Sequence, residues 1–523
     1  MKISLSLCFF FLMNCTPINA QVNILWEQNY GGSKGEHFNN IKRTIDGGYI
    51  VIGHSESGDM DLNGNFGERD IWLVKIDSLG EMEWSKNYGG SRWDPAYDVI
   101  PLENGYLIGA RSESNDFQVP MIQGSFDIWL LRVDLQGEII WSKTYGSTGF
   151  EGISKIIPTE SNGFLVTGYT NTPSGDVTTV YGENDIWIFE IDSLGNLLWE
   201  KNMGGSKSEH WSDFERAANG EYFFCTYSES NDFDFLSNSN SYDAWIGRMN
   251  NNGHIIWTQN LYSAEGSFDM ANAIEQTLDG GYILVGATSF TNNGNTTLVN
   301  KGGFDYWVVK TDSIGQMMWQ KNYGGTSNEY ANSVVLLDNG GYLVSGISYS
   351  QDGDITDSKG SQDIWIIQLD SSGELVWEYS IGGGDVDGAT LKQVDTASFL
   401  LVGFSNSDTG DIENNYGQSD GWIALLNIDT SFNPVNINVL LEQDTPIEVF
   451  PNPTQSSLNL VHSLGQSISF QLIDYTGQTV LEGFSDVPNY QMDLSDLENG
   501  AYFLVKKIGG EKAQITKIIK IEK

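Results

Sequence analysis

Fourteen of the sixteen tryptophans in this 523-residue chain fall into two interleaved registers of seven. Trp72, Trp129, Trp187, Trp245, Trp307, Trp365 and Trp422 each sit in an Asp-x-Trp triplet. Trp26, Trp84, Trp141, Trp199, Trp257, Trp319 and Trp377 each end a strand-like run before a Tyr-Gly-Gly-type turn. Within a unit the second Trp follows the first by twelve residues, and successive units are 57, 58, 58, 62, 58 and 57 residues apart. A fixed period of this size means a stacked or radial repeat, because one unit cannot bury its own apolar faces.

One unit, Glu36 to Ser91, contains four strand-like segments. Asn39–Ile45 is closed by Asp46-Gly47-Gly48, and Tyr49–Gly53 is dense in Ile and Val. After a polar loop, Asp70–Ile76 is joined to Glu81–Asn87 by the tetrad Asp77-Ser78-Leu79-Gly80, which suits a type I turn followed by a left-handed residue. Four antiparallel strands per unit is the arithmetic of a propeller blade. High Gly (59) and aromatic (12%) content with only 18% charged residues suits the same all-β class.

The ends of the array decide its closure. Trp26 has no Asp-x-Trp strand before it, and Trp422 has no partner after it, since Pro434 stands twelve residues on and Phe432 replaces the turn glycine. A closed ring of seven blades accounts for both, with Ile24–Tyr30 completing the seventh blade and leaving no open sheet edge. Ile437–Glu442 is the rival closing strand, but it accounts for no Trp. The expected organisation is a signal segment 1–20, a seven-bladed β-propeller over 21–430, a linker over 431–446 and a small antiparallel β-sandwich over 447–523.

The N-terminus reads as a secretory signal: Lys2, an apolar run Ile3–Met13, and cleavage after Ile18-Asn19-Ala20. Asn14 does not suit a lipobox before Cys15. Cleavage after Ala20 removes Cys8 and Cys15, so Cys225 is left with no intramolecular partner. No later run reaches the roughly eighteen apolar residues of a membrane helix. Sixty-nine acids against 27 basic residues give a net charge of −42, which repels phosphate backbones and excludes nucleic acid as a partner.

The tail differs from the body: it has no Trp, and six lysines fall within its last eighteen positions. Phe450-Pro451-Asn452-Pro453-Thr454, Ile473-Asp474-Tyr475-Thr476-Gly477, Leu494-Ser495-Asp496-Leu497, Gly500-Ala501-Tyr502 and Lys517-Ile518-Ile519-Lys520 follow one another. In these segments the tail closely resembles the type A sorting domain of type IX secretion cargo. That resemblance implies Sec export, passage through the outer membrane of a Bacteroidota-type cell, and recognition by the type IX translocon and its sorting peptidase. It further implies what is usual in that family: removal of the domain, with the cargo released or attached to surface lipopolysaccharide. Gln21, at the new N-terminus, is similar to cargo termini that cyclise to pyroglutamate. The body resembles repeat propellers that precede such tails and, more distantly, the quinoprotein-like propellers, through Asp77, Gly80 and Trp84 and their repeats. The quinone enzymes of that group carry a vicinal disulfide, which Cys225 alone cannot form, so a quinone-dependent dehydrogenase is disfavoured.

Several constellations are candidates for chemistry. Ten residues after the second-register tryptophans stand Glu36, Asp94, Glu151, Glu209, Glu329 and Asp387, with Ser267 as the exception. At the start of an inner strand they could ring a channel mouth as a cation site or a glycosidic carboxylate pair. Their repetition points instead to turn-capping, and the Asp of each Asp-x-Trp triplet invites the same interpretation. Asp59, Asp61, Asn63 and Asp70 have the spacing of a calcium loop, although no helices flank them, and a flexible acidic loop is the simpler account. His37 and His210 share a register without a second nearby ligand. Trp93 and Trp211, outside both registers, stand beside Asp94 and Glu209, where a sugar ring could stack; core packing is the alternative.

No Ser/His/Asp arrangement, Walker loop, His-Glu-x-x-His or Cys-x-x-Cys is present. The expectation is an exported, non-catalytic scaffold binding an extracellular protein or glycan through the variable loops Ser112–Phe126, Ser228–Tyr242 and Ser289–Phe304. The alternative is a polysaccharide-active hydrolase or lyase using a subset of the ring acids.

Overall fold

The computed structural model describes residues 22–430 except 63, 211–212, 237, 239–240, 265, 291–297 and 413. In the tail it describes 448–450, 456–461, 468–473, 479–485, 487, 489–495, 497, 500–508 and 514–520. The expected signal segment, the linker and the rival strand Ile437–Glu442 lie outside these residues. Two compact units meet in the chain at Phe432.

Seven sheets of four-stranded order build the first unit, as the tryptophan period predicts. In the first blade β2 (Glu36–Arg43), β3 (Tyr49–Ser55), β4 (Asp70–Ile76) and β5 (Met82–Tyr88) pair antiparallel in that order. In the fourth blade the first strand is split into Glu209–His210 and Phe214–Arg216. First strands of most successive blades touch one another around the ring, so they line its centre. β4 is buried along its whole length because neighbouring blades cover both faces, which is why it reads DIWLVKI rather than alternating.

β1 (Val22–Tyr30) closes the ring. It pairs antiparallel with Asp420–Ile428, from Val22↔Ile428 to Tyr30↔Gly421, and becomes the fourth strand of the seventh blade. The Trp422 indole donates to Glu27 at 2.9 Å, as Trp187 donates to Glu200 and Trp365 to Glu378 on ordinary fourth strands. β1 therefore supplies the polar partner as well as the missing strand.

The two tryptophan registers do different work. The Asp-x-Trp indoles are at most 2% exposed and fill the blade cores. At six of the seven seams the second register locks one blade to the next. Asp77 accepts the Leu79 and Glu81 N–H groups at 2.8 and 2.9 Å, and Gly80 takes φ +85°. Trp26 lies flat against Gly80, where a Cβ would come within 2.9 Å of the ring, and the Tyr30 hydroxyl donates to the Gly80 carbonyl. Trp84 and Tyr88 treat Gly137 in the same way, as Trp141 and Tyr145 treat Gly195.

The second unit packs the sheet Glu448–Phe450, Ser457–Val461, Asn489–Asp493 with the sheet Thr479–Ser485, Ile468–Ile473, Gly500–Ile508, Gln514–Lys520. Leu458, Leu460, Phe470, Leu472, Met492, Leu494, Tyr502 and Leu504 form its core, giving the expected small sandwich.

Candidate functional site

One face of the propeller carries the turns from each blade's fourth strand to the next blade's first, together with the long loops between second and third strands. The opposite face carries only short hairpins. The six ring acids lie under the first face and are not open to a channel mouth. Glu36, Asp94, Glu151, Glu329 and Asp387 are 0% exposed and Glu209 is 2% exposed. Each holds the turn before it: Glu36 accepts the Gly32 N–H at 2.7 Å and the Ser55 hydroxyl at 2.7 Å, and Glu151 accepts the Ser147 N–H at 2.7 Å and the Thr170 hydroxyl at 2.7 Å. Five of the sister turns are built alike. The fifth blade is no exception. Asp269, two residues beyond Ser267, accepts the Ser263 N–H at 2.8 Å and the Thr288 hydroxyl at 2.6 Å, while Ser267 donates to it.

The Asp-x-Trp acids cap the loops that lead into third strands. Asp70 accepts the Phe66 N–H at 2.5 Å, Asp127 the Gln123 N–H at 2.9 Å and Asp185 the Tyr181 N–H at 2.6 Å. Asp70, Asp305, Asp363 and Asp420 each keep Oδ1 buried without a hydrogen-bond partner. Burial is the main cause that pushes three Asp-x-Trp carboxyls up: Asp70 to about 7, with the Asp94 charge adding to it, and Asp185 and Asp420 to about 6. Among the turn acids Glu209 rises to about 7 and Asp269 to about 6, again chiefly by burial.

The acids of the calcium-loop expectation accept backbone N–H groups. Asp59 accepts the Ser33 N–H and Asp61 the Gly31 N–H, both at 3.0 Å, whereas Asp70 turns to Phe66. Asp59 and Asp61 thus hold the turn Gly31–Ser33 while Asp70 holds a different one; Asn63 lies outside the described residues. Among the described residues no group of three acidic, His or Cys side chains is placed to hold a metal.

Above the carboxylate layer the face is not repeated. At each seam the N–H of the turn acid donates to the carbonyl of the residue before the preceding Asp-x-Trp strand, at 2.6–3.0 Å throughout. The backbone is the same seven times, yet that residue is Arg69, Phe126, Asn184, Tyr242, Phe304, Gln362 or Ser419. Aromatic side chains gather on this varied column and its neighbours. His37 stacks on Phe404 with centroids 4.2 Å apart, and on His54. The Arg69 guanidinium lies 4.4 Å over Trp93, which is 38% exposed. Arg111 sits among Tyr97, Phe126 and Phe150, and donates to the Tyr169 hydroxyl at 3.1 Å. Tyr227, His210, Tyr242, Phe268, Phe304 and Tyr330 then follow in unbroken ring contacts of 4.5–5.4 Å across three blades. Apart from the buried His54, these side chains are half-buried or exposed. Burial lowers His37 to about 4, with Arg69 adding to it, so the ring is neutral at pH 7.

Of the belt, sequence reasoning singled out His37, His210 and Trp93; Trp211, also singled out, lies outside the described residues. The other members lie off both tryptophan registers, and only alignment of the seven units on their turn acids would have shown one variable column at each seam. Within the central channel, Asp98 is buried and accepts the Asn40 amide and the Ile156 N–H, both at 2.8 Å, and Lys155 pairs with Asp213 at 2.6 Å. A cavity of about 390 Å³ lined by Glu275, Ser333, Leu391 and Lys392 opens among the far ends of the first strands.

Residues 448–522 match the family described as secretion system C-terminal sorting domain. The tail is a secretion sorting domain. The propeller is thus the body of an exported cargo, delivered to the cell surface through the Sec and type IX route that this domain serves. In the sorting domain Gly500 opens a strand paired to Lys520, Tyr502 is buried in the core, Lys517 lies opposite Phe503, and the Lys520 ammonium donates to the Leu497 carbonyl. Pro451, Asn452, Pro453, Asp474 and Gly477 lie outside the described residues. No helix among the described residues is long and apolar enough to cross a membrane.

A comparison with curated proteins gives no match. Among solved structures, the chain is similar to BBS1N in complex with ARL6DN, at 7% identity and a TM-score of 0.42, over 79% of this chain and 99% of that one. It is also similar to a member of the DUF4221 family from Bacteroides vulgatus, at 9% identity and a TM-score of 0.34, over 78% and 98%. Puromycin hydrolase matches at 12% identity and a TM-score of 0.42, over 83% and 60%. None of these likenesses carries a functional argument.

Proposed function

We propose that the chain is an exported, non-catalytic scaffold that binds a neutral glycan on the aromatic belt. The observation that carries this is a seam whose backbone repeats while its side chains do not, and whose varied positions collect partly exposed rings around the channel entrance. Flat aromatic faces beside hydrogen-bonding groups are what a sugar ring stacks on. The charge of −42 disfavours uronate, sulfate or phosphate substituents, which selects an uncharged chain. The burial of the turn acids supports binding over hydrolysis, since a glycosidic acid pair has to reach its substrate. The sorting domain hands the protein to the translocon and its peptidase, and the propeller acts afterwards.

The test is a neutral-polysaccharide array read with the full chain, alongside reducing-sugar release. Binding weakened at least tenfold by Trp93→Ala or Tyr242→Ala, with no sugar released, is the expected result. Binding untouched by both substitutions would remove the belt from the proposal. Sugar release abolished by Asp94→Asn or Glu209→Gln would replace it with the hydrolase alternative.

A further inference from the structure

In the blades other than the fifth, the loops between second and third strands share one construction. In the first blade Asp59 and Asp61 grip the turn Gly31–Ser33, and Leu62 is buried. The residue between the two acids, Met60, is forced into the left-handed region at φ 57°. The same position is Phe117 at φ 52° in the second blade and Phe233 at φ 50° in the fourth. In the third, sixth and seventh blades it is Gly175, Gly353 and Gly410, at φ 62°, 73° and 84°. The gripping hydrogen bonds are equivalent in all six loops.

This is an internal control. Glycine meets the backbone requirement at no steric cost, whereas a left-handed non-glycine residue costs roughly 1–2 kcal/mol. Met60, Phe117 and Phe233 are also 61%, 70% and 59% exposed, so their apolar surface gains little from the fold. Two of them extend into a patch with a ring from the preceding blade: Phe66 lies 5.8 Å from Phe117 and Tyr181 5.1 Å from Phe233, centroid to centroid. Tyr416, 48% exposed, holds the corresponding place before Met60. At the glycine loops of the sixth and seventh blades that place is taken by Lys301, which pairs with Asp354, and by Lys359. Blades one, two and four therefore carry apolar tips backed by rings, whereas blades three, six and seven carry glycines faced by Gln123, Lys301 and Lys359.

We propose that Met60, Phe117 and Phe233, with Phe66, Tyr181 and Tyr416, are a docking arc for a second protein whose surface is cationic and carries apolar pockets. Protruding tips fit pockets, and buried aromatic and Met anchors dominate such interfaces. Beside the tips, Asp59, Asp116 and Asp232 hold the Ser33, Ser91 and Ser206 N–H groups through Oδ1 and keep their negative charge at the rim of the arc. Acids next to each tip and a net charge of −42 fix the sign of the partner. None of these six residues belongs to the belt.

The test uses the full chain in its native cell. A benzophenone amino acid placed at Phe117 or Phe233 should give one defined protein adduct, and the same probe at Gly353 should not. The adduct partner, purified and titrated, should bind less tightly as salt rises and about 30-fold more weakly to a Met60→Gly, Phe117→Gly, Phe233→Gly variant. That variant should melt no lower than the wild type, and Phe66→Ser with Tyr181→Ser provides a second disruption from the supporting rings. The proposal is overturned by equal adducts from Gly353, by no adduct, or by an adduct to glycan, lipid or a second copy. It also falls if the partner binds the variants with unchanged affinity, or if the glycine variant melts well below the wild type, which would make the tips part of the scaffold.

Discussion

The turn acids and the belt above them occupy adjacent layers of the same seams and follow opposite rules. The carboxylates occur in every blade, are fully buried and have their hydrogen bonds inside the turn they close. The column residues share one backbone hydrogen bond but change from arginine to phenylalanine to asparagine, and five of the seven keep part of their surface in water. In a repeat protein, sameness over a repeated backbone marks what the fold requires. Difference over that same backbone marks positions the fold leaves free for recognition. The glycine and non-glycine loop tips teach the same lesson more sharply, because there the free choice goes against local conformational preference.

Removing a scaffold indole should give the largest effect. Trp187 is 0% exposed and donates to Glu200 at 3.1 Å. Trp187→Ala is expected to cost about 3–5 kcal/mol in chemical denaturation followed by fluorescence, through lost burial and the cavity left behind. Next comes the carboxylate layer. Glu151→Ala strips the Ser147 N–H and the Ser147 and Thr170 hydroxyls of their acceptor in a buried turn, with an expected loss of about 2 kcal/mol. A neutral result for Glu151→Ala would break the comparison, because a dispensable buried acid repeated in every blade would need a reason other than the fold.

Blade number, closure by β1 and the sorting domain were legible because each rests on residues whose role is backbone or core: a 57–62-residue Trp period, an unpaired Trp at each end, and motif segments in order. The acid ring was legible as a column but not in its burial, since ten residues after a tryptophan specifies a turn and not which way its acid faces. The fifth acid was missed because the turn at Ser263–Ser267 is longer, which moves the carboxylate to Asp269. Asp59 and Asp61 had the spacing of a metal loop because gripping alternate N–H groups of a turn demands the same alternation of acids. The belt was largely illegible, for variable residues generate no period.

A smaller effect should appear with pH. Asp70, Asp185, Glu209, Asp269 and Asp420 are held at about 6–7, against roughly 4 in an unfolded chain. The folded protein therefore binds more protons between those limits, so its stability falls as pH rises from about 4 through about 7 and is level above. His37 and His54, both lowered by burial, oppose this, but five acids outnumber them. The full chain should melt at a higher temperature at pH 5 than at pH 8, and Asp70→Asn should reduce the difference. A melting temperature that rises with pH would mean that these acids are ionised in the fold at a cost borne elsewhere.

The smallest effect on stability is expected in the belt, and it separates the two layers most directly. Trp93 and Trp187 are the same residue type in one propeller. Trp93 is 38% exposed and is held on one side by Arg69, which also pairs with Glu56 at 2.5 Å. The hydrogen bond that joins its seam runs from the Asp94 N–H to the Arg69 carbonyl and does not involve the indole. Trp93→Ala should therefore change the unfolding free energy by less than about 1 kcal/mol, the cation–π contact being the main loss. Glycan binding should fall at least tenfold in the same variant. If Trp93→Ala instead unfolds as readily as Trp187→Ala, the belt belongs with the carboxylates as scaffold, and recognition must be sought at the loop tips alone.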